Sequence, residues 1–394
     1  MTARIPTRWL ATVRGLYHVT AVSFAMSVFG AGAPVDGFNA ALGTQTIGVK
    51  YGFTDRTRLV ETAEAILSMG SNILKISLEP DYPDNYALPK CKGVGSFAEL
   101  VAKEPSFKVV LDMPFKFYFL WAHSFKQVKW ADGLSETERE VAHREMFDLT
   151  AYLLATYSGT GKNFFIGSWE NDWLLYQNYD LKFEIPAARL QGMVDWMNVR
   201  QQAVDEAKAQ TPHTNVKVWH YLEVNQAVLG MRGKVSVASH VLPKTHVDFV
   251  SYSSYDALGN METLKSALDY IDRMMPAKEG MPGRRVFIGE YGFPLTKVKT
   301  PAEQDRRARE VCRTALQWGC PFVLYWELYC NEIQDGKHRG FWLIDDKETK
   351  QPFYFTLQRY YAGMREFRAQ FRERCGREPA RDEWLPQALD LLKD

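Results

Sequence analysis

Short, unbroken apolar runs alternate with longer amphipathic stretches along most of this chain. Runs that show no polar alternation read as strands buried on both faces, the pattern of a parallel sheet covered by helices. They fall at residues 46–51, 72–78, 108–113, 163–168, 216–221, 247–252, 285–288 and 322–326. Between them the apolar spacing lengthens to that of helices. The first opens at Thr54-Asp55 and stops near Gly70; others cover residues 97–103, 135–157, 187–210, 261–275, 301–319 and 352–371. Ser135-Glu136-Thr137-Glu138 has the form of a capping box and starts the helix over 135–157. Residues 115–130 read as an aromatic loop.

Eight strands, most followed by a helix, predict an α/β chain closed into a (β/α)₈ TIM barrel, a single domain with long loops after strands 3 and 4. A doubly wound open sheet is the rival. It calls for a glycine-rich phosphate turn after the first strand, where this chain reads Lys50-Tyr51-Gly52-Phe53-Thr54-Asp55. The expected organisation is a leader over 1–43, the barrel over 44–371 and a peripheral charged tail over 372–394. In the leader Arg4, Arg8 and Arg14 precede an apolar stretch ending in small residues, the order of a secretory signal. If it is one, the protein is secreted or periplasmic; otherwise it is cytoplasmic. The apolar part is short for a membrane span and no later segment qualifies.

Composition narrows the partners. Net charge is +1, which argues against nucleic acid or an anionic membrane. Eleven Trp and 19 Tyr fit either a large core or stacking platforms for sugar rings, and composition alone does not choose. The five cysteines have neither zinc nor disulfide-framework spacing and read mostly as free thiols, with a Cys312–Cys320 bridge as the weaker alternative. The eight His are scattered with no H-x-H pair, so no metal and no cofactor is expected.

Two apolar runs end in a glutamate flanked by aromatics: Phe164 to Trp173 around Glu170, and Arg285 to Pro294 around Glu290. Barrel active sites lie at the carboxyl ends of the strands, and strands four and seven stand across the mouth from each other. Two carboxylates so placed supply the acid and the base or nucleophile that glycosidic bond cleavage needs. A separation of about 5–5.5 Å suits retention and about 6.5–9.5 Å inversion. Other candidates surround them. Trp121 and His123 sit in the long aromatic loop; Trp169, Asn171 and Asp172 flank Glu170, with Asp172 a substrate ligand or a helix cap. His220 and Glu223 follow the fifth strand, and Glu79 and Asp112 leave the second and third. Glu327 is expected in an ion pair, and Glu332 is within reach of the mouth.

Ile288-Gly289-Glu290-Tyr291-Gly292 resembles the strand-seven nucleophile segment of clan A glycoside hydrolases, which are retaining (β/α)₈ enzymes. The resemblance covers roughly residues 44–362 in architecture, though its specific motifs are short. It implies that Glu170 is the acid/base and Glu290 the nucleophile. It also implies that Trp326 lines a sugar subsite and that Tyr252 or Tyr255 lies close to the nucleophile. The implied partner is an oligosaccharide or polysaccharide with β-glycosidic bonds. Two positions depart from the clan's pattern. Trp169 stands where many members have Asn before the acid/base, leaving Asn171 or Asn225 to replace that contact, and strand two offers Lys75 where an Arg is common. A sugar-binding barrel without turnover is the alternative these departures leave open.

Overall fold

The computed structural model describes residues 41–393, so the leader expected over 1–43 lies outside them up to residue 40. Eight parallel strands close into one barrel in sequence order: β1 (Leu42–Gln45), β2 (Ile73–Leu78), β3 (Phe117–Ala122), β4 (Asn163–Gly167), β5 (Lys217–Val224), β6 (Phe249–Ser253), β7 (Val286–Tyr291) and β8 (Val323–Tyr325). Closure is made by Leu42, Gly43 and Thr44 of β1 pairing with Val323, Leu324 and Tyr325 of β8. A two-stranded hairpin, β9 (Ile333–Gln334) and β10 (Lys337–His338), follows β8. The helices are α1 (Arg58–Met69), α2 (Tyr82–Tyr86), α3 (Phe97–Lys103), α4 (Pro105–Asp112), α5 (Glu136–Thr156), α6 (Asn171–Leu175), α7 (Ala187–Gln210), α8 (Ala227–Met231), α9 (Met261–Met274), α10 (Pro301–Trp318), α11 (Pro352–Cys375) and α12 (Arg381–Asp390). No helix among the described residues is long and apolar enough to cross a membrane.

Alternation along each strand builds two cores. Inward residues fill the barrel with rings, Phe119 stacking on Phe165 at 4.6 Å and meeting Phe322 at 5.0 Å and Phe287 at 5.1 Å. Outward neighbours such as Tyr118, Leu120, Phe164 and Ile166 pack under the helices. Each fully buried ring of this size contributes roughly 1.5–3 kcal/mol. The inner rings plug the barrel and leave its carboxyl end for polar groups.

Helices over 97–103, 135–157 and 187–210 form as expected, the second on its capping box between Ser135 and Glu138. Two strands are displaced. Residues 108–112 are helical, the end of α4, and Met113 is its C-cap. Phe107, Val110 and Leu111 are buried at helical spacing while Val109 is 47% exposed, and Glu104 caps the helix by accepting from the Phe107 N–H. The third strand is instead the apolar run at 117–122, read from sequence as loop. Asp112 is therefore no strand exit; it accepts a hydrogen bond from Tyr157. The first strand lies at Leu42–Gln45, four residues before the expected start, and Gly48 turns the chain away in the left-handed region (φ 64°). Leu42 and Gly43 thus belong to the barrel, not to a leader.

The C-terminal residues are not peripheral either. α12 buries Trp384 and Ala388 one turn apart, and Arg381 donates to the carbonyls of Leu316 and Cys320 at the end of α10. All five cysteines are free, with Cys312 hydrogen-bonded to the Tyr291 hydroxyl instead of bridged to Cys320.

Candidate active site

Glu290 owes its orientation to a β-bulge. On β6, Tyr252 and Ser253 are consecutive, yet their partners on β7 are Ile288 and Glu290; on β8, Val323 and Tyr325 pair with Ile288 and Tyr291. One extra residue is inserted in β7 at this point. Phe287 faces the barrel, Ile288 faces the helices, Gly289 faces in, and Tyr291 faces out against Cys312. Strict alternation would send Glu290 outward; the inserted residue turns it into the mouth. Gly289 is required there, because a Cβ would stand 1.8 Å from Ser251 Oγ and 3.2 Å from Glu223 Oε2. The backbone beyond is held by Ser254, whose N–H donates to the Glu290 carbonyl at 2.9 Å.

Glu170 follows β4 and reaches towards the same place. Its N–H donates to Glu223 Oε1 at 3.0 Å, and its own Oε1 accepts from Ser253 Oγ at 2.5 Å. Ser253 is the register partner of Glu290. The acid from β4 is therefore hydrogen-bonded to the residue flanking the acid from β7. Glu223, inward on β5, lies between them and accepts from Ser251 Oγ at 2.6 Å. Lys75 crosses the mouth from β2. Its Nζ donates to the Gly289 carbonyl at 2.9 Å, stands 3.6 Å from Glu223 Oε2 and 3.9 Å from Glu290 Oε2, and sits 3.9 Å over the Trp121 ring. Among the described residues, Glu290 Oε2 has no hydrogen-bond partner.

Burial and crowding decide the charges. Burial pushes the Glu170 carboxyl up to about 8; Ser253 partly offsets this and the Glu223 charge adds to it. Burial and then the charge of Glu170 push Glu290 well above the carboxylate range, with Lys75 opposing. A proton held by this cluster near neutral pH follows first from burial and then from packing several carboxyls around one ammonium.

Aromatic residues form the walls. Trp121 is on β3 rather than in a loop, and its ring lies 6.1 Å from that of Trp326. Trp326 Nε1 donates to Glu332 Oε1 at 3.0 Å, and Glu332 pairs with Arg339, so Glu332 does belong to this wall. His123 lies beside Trp121 and is held neutral, burial and then Arg200 bringing it down to about 4. The Tyr255 hydroxyl interacts with Glu290, while its ring leans on Phe341. Trp169 is half-buried beside the inner core.

Four expected ligands turn elsewhere. Asn171 is fully buried, accepting from Ser168 and donating to the Glu223 carbonyl. Asp172, also fully buried, accepts from the N–H groups of Asn225, Gln226 and Val237, a loop clamp rather than a sugar ligand. His220 faces α7 and meets Arg200. Tyr252 faces the outer core and donates to Asp256 at 2.5 Å. Glu327 has no ion pair among the described residues; it accepts from the Asn331 N–H, and burial pushes it well above the usual range. Reading from sequence missed Ser251 and Ser253 and saw Lys75 only as a departure. Glu223, a candidate from the sequence, does face the site, and alternation supports it: Trp219, Tyr221 and Glu223 share one face of β5.

No family model matches this chain, and no curated protein does. Solved structures do. The exo-beta-1,4-mannosidase Op5Man5 from Opitutaceae bacterium strain TAV5 aligns at TM-score 0.55 and 12% identity over 86% of this chain and 62% of that one. A family 39 glycoside hydrolase from Bacteroides cellulosilyticus WH2 aligns at 0.52 and 11%, over 82% and 64%. A GH5-4 broad specificity endoglucanase from Clostridium longisporum aligns at 0.53 and 11%, over 82% and 96%. The chain thus spans less than two thirds of the first two. What it shares with these glycoside hydrolases is the closed (β/α)₈ barrel fold.

Proposed function

We propose that this chain is a retaining glycoside hydrolase acting on β-linked oligo- or polysaccharides, with Glu170 as acid/base and Glu290 as nucleophile. The observation that carries the reading is the convergence of both carboxyls on one mouth, joined through Ser253. In the first step Glu290 forms a bond to the anomeric carbon as the glycosidic C–O bond breaks, and the Glu170 proton passes to the leaving oxygen. In the second, Glu170 takes a proton from water, which attacks the same carbon and releases Glu290. Lys75, 3.9 Å from Glu290 Oε2, opposes the burial and the Glu170 charge that raise Glu290 and so favours its anion once one proton leaves the pair; burial raises Glu170 to about 8 and holds its proton at neutral pH. Trp121, Trp326, Trp169, His123 and Tyr255 surround the sugar. The carboxylates of Glu223 and Glu332 favour a neutral ring over a uronate, which would add another negative charge.

The test is a panel of aryl β-glycosides of neutral sugars, with a β-glucuronide alongside. Hydrolysis of at least one neutral glycoside, with the β-anomer formed first by proton NMR, is expected. Glu290→Ala abolishes it, and Glu170→Ala lowers it about 10²–10⁴-fold with recovery by azide. Binding of oligosaccharides by the unmutated protein without any cleavage would favour the sugar-binding barrel instead.

A further inference from the structure

The segment leaving β4 presents aromatic surface that the chemistry above does not use. Tyr179 is 61% exposed and its backbone sits in the left-handed region (φ 59°). For a bulky residue that conformation is an outlier, and such strain persists where the surroundings impose it. Its ring lies 5.2 Å from Trp173 and 6.3 Å from Trp169, the residue before Glu170. The base beneath is firmly mounted. Asp172 clamps three backbone N–H groups, Arg189 donates to the carbonyls of Leu174 and Leu175, and the Tyr176 hydroxyl donates to Val235. The buried residues that look like sugar ligands in the sequence instead hold this platform in place.

We propose that Tyr179 and Trp173 form a leaving-group subsite that stacks the face of a pyranose ring on the aglycone side of the scissile bond. The inference rests on the glycosidase reading, because it takes its direction from Glu170. The group that protonates the leaving oxygen lies next to whatever leaves, and Tyr179 stands against Trp169, the residue before Glu170; burial first, and then the charge of Glu170, raise the Tyr179 phenol. An exposed aromatic cluster on a rigid base offers a sugar the flat apolar surface that its C–H face needs, at small ordering cost.

The experiment compares three leaving groups on the same neutral sugar: fluoride, which has no surface to stack; an aryl group; and a second sugar. Tyr179→Ala and Trp173→Ala are each expected to lower the ratio of kcat/KM for the oligosaccharide to that for the glycosyl fluoride about tenfold. Tyr179→Phe and Trp173→Phe should keep the ratio near that of the unmutated protein. A ratio that does not move in either alanine variant overturns the subsite. An aryl-glycoside ratio that falls as far as the oligosaccharide ratio overturns the assignment to a sugar. An unmutated protein inert on fluoride, aryl glycoside and oligosaccharide alike overturns the glycosidase reading itself, an outcome distinct from the other two.

Discussion

Lys75 shows what a single residue does in this mouth. Its ammonium faces Glu223 and Glu290, with Trp121 beneath it, and Glu170, Tyr255, Glu327 and Tyr221 are further charged or titratable groups that act on Glu290. Removing the cation leaves the Glu290 anion less stabilised, so its pKa rises. Lys75→Met is expected to move the acid limb of the kcat/KM profile to higher pH and to lower its maximum, with Lys75→Arg restoring part of both. A limb that stays in place would show that Lys75 acts only as a strut for the Gly289 carbonyl. Glu170 carries a stability signature of its own. Its carboxyl goes from 4.5 unfolded to about 8 folded. Between those values the folded chain holds a proton that the unfolded chain has released, so stability falls as pH rises through that window. Glu170→Gln stays neutral, and should match the parent protein at pH 4 and melt at a higher temperature at pH 9. An equal offset at both pH values in thermal unfolding would contradict this.

At the scale of one element, β7 makes the site by a one-residue insertion. The bulge puts Gly289 and Glu290 on the same side, which regular pleating forbids. Gly289→Ala would drive a methyl to 1.8 Å from Ser251 Oγ. Either Ser251 leaves Glu223 or the bulge shifts. The variant is expected to lose about 1–3 kcal/mol of stability and most of its activity. Chemical denaturation and kinetics on one substrate would check it, and unchanged values in both would mean that the bulge tolerates the methyl. Sequence periodicity captures the strand here but not its inserted residue, because Phe287-Ile288-Gly289 is a plain apolar run that carries no mark of the bulge before Glu290. The misplaced third strand has the same origin. Over six residues, Lys108–Met113 satisfies a strand template, and only the Glu104-Pro105 start and the exposure of Val109 reveal a helix.

At the scale of the molecule, the barrel is closed by contacts between its two ends, and the C-terminal helix seals the layer outside them. Trp384 is buried in that seal. Trp384→Ala is expected to cost about 3–5 kcal/mol, read as a lower denaturation midpoint in urea. An unchanged midpoint would show α12 to be a passenger. The strand–helix beat, the capped helices and both glutamates were legible along the chain, because each depends on residues a few positions apart. Ser253 and Lys75 were not read as parts of the site, and Glu223 was read only as a candidate lining residue, since their partners lie far away; Lys75 and Gly289 are 214 residues apart.

By itself the sequence determined the class of this protein: alternating apolar runs and amphipathic helices can bury their surfaces only as layered α/β, and eight such units close a ring. It also determined that two glutamates end buried strands. Tertiary structure alone decided which way each side chain faces. Register, a bulge and cross-barrel hydrogen bonds turned Glu290 inward, drew Glu170 to Ser253, and sent Asn171, Asp172, His220 and Tyr252 into the scaffold. Local periodicity cannot encode those choices, because facing in a sheet depends on the neighbouring strands and not on the strand itself.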